Sequence, residues 1–156
     1  MQNVLYHLIQ HPSFPVDVWQ HRRYAEHELI IRQGECSGKL YLVLSGSVRV
    51  MGSVALDRQR RVQPGFGDLG AGEVFGELAL FDDLPHSASV MAIADCEIAV
   101  IDGKRLLSHL DQHPQQGYAV LKDLGCTMVQ RLRKTNDKLF SLFAWGLKAH
   151  GIDKHL

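Results

Sequence analysis

The sequence predicts a mainly β fold with flanking helices, either a sandwich or a jelly roll, and three observations support this. Short runs rich in Val, Ile and Leu recur through the middle of the chain, glycine-containing turns separate them, and a helical pattern fills the last third. Short strands joined by turns are typical of antiparallel sheets, whereas parallel strands need long, usually helical, connections. A parallel α/β fold is therefore not expected.

Five runs have the composition of β-strands, and glycine or Asp turns follow or precede them. They are residues 29–31, 40–44, 48–50, 90–93 and 97–101. The sequence of residues 52–70 predicts a further hairpin whose ends pair. Its tip is expected to carry solvated charges at Arg58, Arg60 and Arg61.

Helices are predicted at both ends of the chain. Residues 4–9 and 16–19 have apolar helical patterns that Pro12 and Pro15 interrupt, which predicts two short helical pieces capping the barrel. Asp102 is a favourable N-cap for a helix over 104–110, and Pro114 begins a second, longer helix. We therefore divide the chain into a helical cap at 1–21, a β domain at 22–113 and a long helix with its tail at 114–156.

The long helix carries an apolar stripe whose members recur at alternating steps of four and three residues. This is the spacing of a two-stranded coiled coil, so it predicts a homodimer, although a helix packed on its own β domain has a similar stripe. A wider apolar surface continues at Phe140, Phe143 and Trp145, which favours burial against a partner. The stripe comprises Leu121, Gly125, Met128, Leu132, Thr135, Leu139 and Leu142.

Charge and hydropathy exclude several classes of function. Lys plus Arg and Asp plus Glu each number 17 among 156 residues, so no global field draws the chain to nucleic acid or to an acidic membrane. No apolar run is long enough to span a membrane, and the start of the chain does not resemble a signal peptide. We therefore expect a cytoplasmic protein.

Cysteine and histidine spacing gives no support for a metal site. The three cysteines, Cys36, Cys96 and Cys126, lie far apart in sequence, and we interpret them as reduced, structural thiols. His109 and His113 are four residues apart, but they lack the Glu of a metalloprotease motif and are interpreted as positions on a helix surface. The predicted strands contain no His, so we expect neither a metal nor an enzyme.

Residues 75–90 have the features of an anion-binding turn. Gly76 allows the backbone to approach a ligand closely, and residues 77–80 begin a short helix whose first N–H groups point toward whatever precedes them, which favours a phosphate. Glu77 is suited to accept a hydrogen bond from a sugar hydroxyl, and Ser87 offers a donor to a phosphate oxygen. A phosphorylated ribose is the ligand class that fits this combination.

Residues 22–142 resemble, in order, the cyclic nucleotide-binding domain of Crp/Fnr-type bacterial regulators. The resemblance is carried by residues 28–34, by 40–50 and above all by 70–92, which match the family's phosphate-binding cassette without a gap. It implies a double-stranded β-helix, or jelly-roll, barrel that binds cAMP or cGMP, with a C-terminal dimerisation helix.

The same resemblance implies which residues form the two functional surfaces. The cyclic nucleotide-binding residues would be Phe75, Gly76, Glu77, Leu78, Ala79, His86 and Ser87, with Arg131, Thr135 and Asn136 of the long helix at the pocket mouth and the purine. The dimer interface would comprise Leu121, Met128, Leu132, Leu139 and Leu142.

Two departures from the family pattern bear on function. The family places Arg immediately after the cassette proline, whereas this chain has His86 after Pro85. Loss of a charge-assisted contact costs about 2 to 3 kcal/mol, or roughly thirty- to over a hundred-fold in affinity. Only fourteen residues follow Leu142, so we expect no winged helix-turn-helix, no direct DNA binding, and a protein partner in trans.

Two hypotheses for function remain from the sequence. The first is a homodimeric cyclic nucleotide sensor that signals by repositioning its long helix. The second is a degenerate domain that has lost its ligand and serves as a protein interaction module, which side chains such as His86 or Phe81 filling the pocket would favour.

Overall fold

A computed structural model of the 156-residue chain describes residues 4–55, 61–62, 65–82 and 84–151. Two compact units are distinguished, Met1–Tyr118 and Ala119–Leu156. The described strands all lie in the first unit, and residues 119–149 of the second belong to a long helix that begins at Pro114. The predicted tip charges Arg58 and Arg60 lie outside the described residues.

The first unit is built on two four-stranded antiparallel sheets, with strand orders β1-β10-β3-β8 and β2-β9-β4-β7, and a small β5-β6 hairpin. Strands that are distant in sequence, such as β1 and β10, are neighbours, as expected for a jelly roll. This arrangement confirms the predicted mainly β fold with flanking helices. The strands are β1 Trp19–Tyr24, β2 Leu29–Ile31, β3 Lys39–Ser45, β4 Ser47–Met51, β5 Val54–Ala55, β6 Arg61–Val62, β7 Gly65–Gly70, β8 Val74–Phe75, β9 Ser89–Ala92 and β10 Cys96–Asp102.

All five predicted β runs are strands, but the sequence prediction is wrong for the second helical piece at 16–19. A turn with a hydrogen bond from Val18 N to Pro15 O (3.2 Å) precedes Trp19, which is the first residue of β1. Strand β1 lies at a sheet edge, and its four central residues are exposed. It therefore lacks the alternation of apolar and polar residues that identifies a half-buried strand.

The barrel core lies between the two sheets and is formed by side chains from one face of each. Gly46 turns β3 into β4 with a φ of 79°, and a Cβ there would lie 2.3 Å from the carbonyl oxygen of Asp95. Only glycine fits such a contact without a shift of the backbone. The buried cluster consists of Ile31, Tyr41, Val43, Val48, Phe75, Val90, Ala92, Cys96, Ile98 and Val100.

In the described part of the chain, three α-helices flank the sheets in sequence: α1 Val4–Ile9, α2 Gly103–Gln112 and α3 Pro114–Ala149. The predicted N-cap is confirmed, since the Asp102 side chain accepts a hydrogen bond from Arg105 N at 3.0 Å. The Arg105 guanidinium also donates to the Asp17 backbone carbonyl (2.9 Å) and forms an ion pair with its carboxylate. These contacts fasten the start of α2 to the segment before β1.

The histidines and cysteines differ in part from the sequence interpretation. His109 is buried rather than on a helix surface: its ring stacks on His113 at 4.2 Å, and its Nε2 lies 3.0 Å from Gln116 Oε1. All three cysteines are free, but only Cys96 is buried, so Cys36 and Cys126 are not core thiols.

Among the residues that the structure describes, no cluster of three or more His, Cys, Asp or Glu side chains suited to a metal ion occurs. None of the described helices is both long and apolar enough to cross a membrane.

Candidate functional site

The predicted anion-binding segment is a single 3-10 turn, Glu77–Leu80, between β8 and the chain leading to β9. Gly76 precedes this turn in the left-handed conformation, with φ 75° and ψ 10°. A Cβ on Gly76 would lie 2.9 Å from the Lys39 carbonyl oxygen and 3.0 Å from Cδ2 of Tyr41. Both the dihedral angle and the close approach therefore require glycine.

Strand β3 positions the start of the cassette. Tyr41 and Phe75 are register partners of β3 and β8, and their rings stack with centroids 4.9 Å apart and planes 6° apart. Both side chains are buried in the core. The backbone at 75–76 is thus fixed by packing as well as by strand hydrogen bonds.

The residues of the turn differ sharply in burial. Glu77 is only 8% exposed, although a carboxylate is rarely buried unless polar groups compensate its desolvation. Leu78 is 46% exposed, and Ala79 N donates to Gly76 O at 3.2 Å. Leu80 is also 8% exposed, so Glu77 is the polar side chain of the turn that lies inside the protein.

His86 is joined to the loop between β2 and β3 by three hydrogen bonds. Its Nε2 lies 2.7 Å from Ser37 Oγ, its backbone N–H donates to Glu35 O (2.9 Å), and its carbonyl accepts from Gly34 N (2.9 Å). Burial lowers the pKa of His86 below its usual range, and the Glu35 carboxylate opposes this shift. The neutral imidazole is therefore favoured at neutral pH.

Ser37 links the two halves of the cassette, although sequence reasoning did not single it out. The Tyr41 ring lies against Gly76, while the Tyr41 hydroxyl lies 3.5 Å from Ser37 Oγ, which in turn contacts His86. Ser37 and His86 are 49 residues apart, and a serine in a glycine-bounded turn is common. Their contact forms only when the fold brings the β2–β3 loop against the cassette.

Three further side chains take no part in these hydrogen bonds: those of Ser87, Phe81 and Arg49. Ser87 is exposed. Phe81 is 55% exposed, so it is not a side chain that fills the barrel. Arg49 is directed away from the core: its neighbour Val48 is fully buried, whereas its own guanidinium makes a bidentate pair with Asp68 at 2.6 and 2.8 Å.

The predicted residues of α3 belong to the second unit. Thr135 and Asn136 are exposed, and Arg131 is half-buried. The Thr135 hydroxyl donates to the Arg131 backbone carbonyl at 2.9 Å, one turn earlier in the helix. The predicted dimer residues Leu121, Leu132, Leu139 and Leu142 are between 42% and 65% exposed in the single chain, and Met128 is half-buried.

Comparison with known proteins gives a family match over the β domain. The family model described as "Cyclic nucleotide-binding domain" matches residues 21–113. The cAMP-activated global transcriptional regulator Vfr of Pseudomonas aeruginosa is 34% identical over 125 residues, 78% of this chain and 55% of that protein. The cyclic AMP receptor protein of Thermus thermophilus is 31% identical over 121 residues, 78% of this chain and 52% of that protein.

A solved structure shows the same fold. The c-di-GMP responsive global regulator CLP of Xanthomonas campestris has a TM-score of 0.73 and 28% identity, covering 81% of this chain and 60% of that one. This likeness confirms the predicted jelly-roll barrel with flanking helices. The chain spans about half the length of the curated relatives described above.

Proposed function

Because the chain belongs to the cyclic nucleotide-binding domain family, we propose that it is a cytoplasmic regulatory module whose ligand is cAMP or cGMP. The observation that carries this proposal is the cassette geometry, in which a left-handed Gly76 leads directly into a buried Glu77. Two relatives whose names include cAMP or cyclic AMP support this ligand class.

Each cassette residue has a role in this proposal. Gly76, with Phe75 fixed beneath it by Tyr41, allows the ligand to approach the backbone of Leu78 and Ala79. The buried Glu77 carboxylate accepts a hydrogen bond from the ribose hydroxyl. His86 and Ser87 bind the cyclic phosphate.

The long helix completes the proposed module. Arg131 approaches the pocket mouth, Thr135 and Asn136 hydrogen-bond the purine, and two copies pair along the apolar stripe of α3. The ligand repositions this helix only if it binds one helix arrangement more tightly than the other. The signal then passes to a protein partner in trans.

Weak binding is expected, because His86 stands where the family has Arg. Arginine offers a permanent charge and a bidentate fork, whereas imidazole offers one directional donor per nitrogen. The difference of about 2 to 3 kcal/mol moves a micromolar dissociation constant toward the millimolar range. Arg49 is paired with Asp68 on the outer face of its sheet and does not supply the missing charge.

A second candidate function is a ligand-independent protein interaction module. Three exposed aromatic side chains near the end of α3 favour it: Phe140, Phe143 and Trp145 are 68%, 66% and 70% exposed in the single chain. An apolar surface of this kind is unusual unless it is buried against a partner. The exposed position of Phe81 gives this candidate no support from within the barrel.

Isothermal titration calorimetry with cAMP and cGMP at up to millimolar ligand separates the two candidates. We expect binding of at least one cyclic nucleotide and no comparable heat with 5′-AMP. A Glu77→Gln variant is expected to bind at least tenfold more weakly, because a hydrogen bond to a charged acceptor is stronger than one to a neutral acceptor. Absence of heat with either cyclic nucleotide contradicts the sensor function and leaves the interaction module.

A further inference from the structure

We infer that Ser37 and His86 form a proton-dependent phosphate grip, in which His86 binds the ligand as the imidazolium and ligand binding takes up one proton. This inference rests on the proposed cyclic nucleotide function. It adds Ser37 to the binding residues and makes affinity depend on pH, which a permanently charged arginine at position 86 would not do.

The imidazole is positioned by the backbone of residue 86 and by a contact at one of its two ring nitrogens. The two backbone hydrogen bonds to Gly34 and Glu35, each 2.9 Å, hold residue 86 against the β2–β3 loop, and the 2.7 Å contact with Ser37 Oγ fixes Nε2. Among the described residues, no hydrogen bond engages Nδ1. This ring nitrogen is the one available to a ligand.

Serine suits both protonation states of His86. A hydroxyl both donates and accepts, so Ser37 Oγ donates to Nε2 of the neutral ring or accepts from Nε2–H of the cation. In the cation both ring nitrogens are donors, so Nε2–H binds Ser37 while Nδ1–H is directed to a phosphate oxygen. A hydrogen bond between ionised groups is also about twice as strong as one between neutral groups.

The surroundings of His86 do not favour its protonated form in the free protein, so a bound ligand determines its protonation state. Glu35 favours the cation, but its carboxylate is already paired with Arg32 at 3.3 Å. Burial favours the neutral ring more strongly than Glu35 favours the cation, and the Tyr41 hydroxyl lies beyond Ser37, 3.5 Å from its Oγ. A bound phosphate adds the negative charge that favours protonation, as the carboxylate of an ion pair does.

The expected pH dependence follows by linkage. Above the pKa of the ligand-free imidazole and below that of the bound imidazole, affinity falls by up to a factor of ten for each pH unit. The phosphodiester keeps its single negative charge throughout this range, so His86 is the source of the effect. We expect the affinity for a cyclic nucleotide at pH 6 to be at least about tenfold higher than at pH 8.

Calorimetry with cAMP and cGMP at pH 6, 7 and 8 tests the inference, using at each pH two phosphate-free buffers of different ionisation enthalpy. We expect a net uptake of protons near pH 7 and the tenfold rise in affinity.

The His86→Arg variant should bind more tightly than wild type and without pH dependence. The His86→Gln variant should bind weakly and also without pH dependence. Ser37→Ala should bind at least threefold more weakly, whereas Ser108→Ala, an exposed serine of α2, should behave as wild type.

The outcomes distinguish this inference from the function on which it rests. Binding whose affinity is flat from pH 6 to 8, with the same heat in both buffers, overturns the grip and leaves the cyclic nucleotide function standing. No binding at any pH, by wild type or by His86→Arg, overturns the function itself. If a variant fails to fold by circular dichroism, the two-buffer measurement on wild type still decides the matter.

Discussion

The ring of Tyr41 lies directly against Gly76, with Cδ2 only 3.0 Å from the position that a Cβ on Gly76 would occupy. The same ring stacks on Phe75 and carries the hydroxyl that lies 3.5 Å from Ser37 Oγ. One buried side chain of β3 therefore contacts the start of the cassette and, through Ser37, its end at His86. Changes at Gly76 should disturb both packing and binding.

We expect Gly76→Ala to lower the free energy of unfolding by about 2 to 4 kcal/mol, since the methyl group adds left-handed strain and crowds Tyr41 and the Lys39 carbonyl. Cyclic nucleotide affinity should also fall at least tenfold. Urea unfolding and calorimetry measure the two effects. Gly72→Ala is the matched control: it has a similar φ of 84° but no atom within 4 Å of the new Cβ, so it should cost only about 1 to 2 kcal/mol and preserve binding.

Gly46→Ala tests the β3–β4 turn, far from the cassette in sequence. The new Cβ would lie 2.3 Å from Asp95 O and 2.8 Å from Cys96 Cα, both backbone atoms that cannot move alone. We expect a loss of about 3 kcal/mol or more from strain and overpacking, measured by urea unfolding. A loss equal to that of Gly72→Ala would mean that the turn adapts freely.

Arg49→Ala distinguishes a ligand contact from an outer-face ion pair. Arg49 pairs with Asp68 on the exposed side of β4 and β7, so cyclic nucleotide affinity should not change. The guanidinium lowers the pKa of Asp68, so the pair stabilises the fold above the usual carboxyl pKa and loses this effect as the pH falls through the lowered value. The variant should therefore lose less stability than wild type when the pH is lowered. A drop in its affinity for the ligand would instead place Arg49 at the binding site.

Dimerisation through α3 is tested by charge substitution on its apolar stripe. Leu132 and Leu139 are 62% and 60% exposed in the single chain, so replacing either with Glu should not unfold it. Light scattering after size exclusion should show a dimer for wild type and a monomer for Leu132→Glu and Leu139→Glu. Gln130→Glu, exposed but outside the stripe, is the control. A monomeric wild type would contradict the dimer.

The cysteines should differ in reactivity toward a thiol reagent. Cys36 and Cys126 are exposed, whereas Cys96 is 3% exposed and burial raises the pKa of its thiol. Because the thiolate is the reacting species, two thiols should react in native protein and the third only after unfolding. Rapid reaction of all three would indicate that the strand β10 core opens readily.

Local sequence signals were sufficient where structure depends on neighbouring residues. Asp102 caps α2 and Pro114 begins α3 as predicted, because both effects act within one helical turn. Strand β1 was missed because its register partners in β10 come between 72 and 82 residues later and its own side chains are largely exposed. The sequence of residues 19–24 therefore contains no local signal that predicts this pairing.

The candidate site divides in the same way. Gly76 and Glu77 were identified from sequence because a glycine before a short helix is a local pattern. Ser37 was not identified, since its relation to His86 arises only when the β2–β3 loop and the cassette meet. His109 was misplaced for a similar reason, because its burial depends on packing against Phe14 and His113.

By itself, the sequence determined the class of fold, the two flanking helices after β10 and the residue type at position 86, since composition, caps and spacing are local properties of the chain. The tertiary structure alone decided that Arg49 is paired outward with Asp68, that Phe81 stays exposed, and that Ser37 holds the imidazole of His86. The physical reason is that the Arg49–Asp68 and Ser37–His86 contacts join strands or loops distant in sequence, and that the register of the sheets sets which residues meet and which stay exposed.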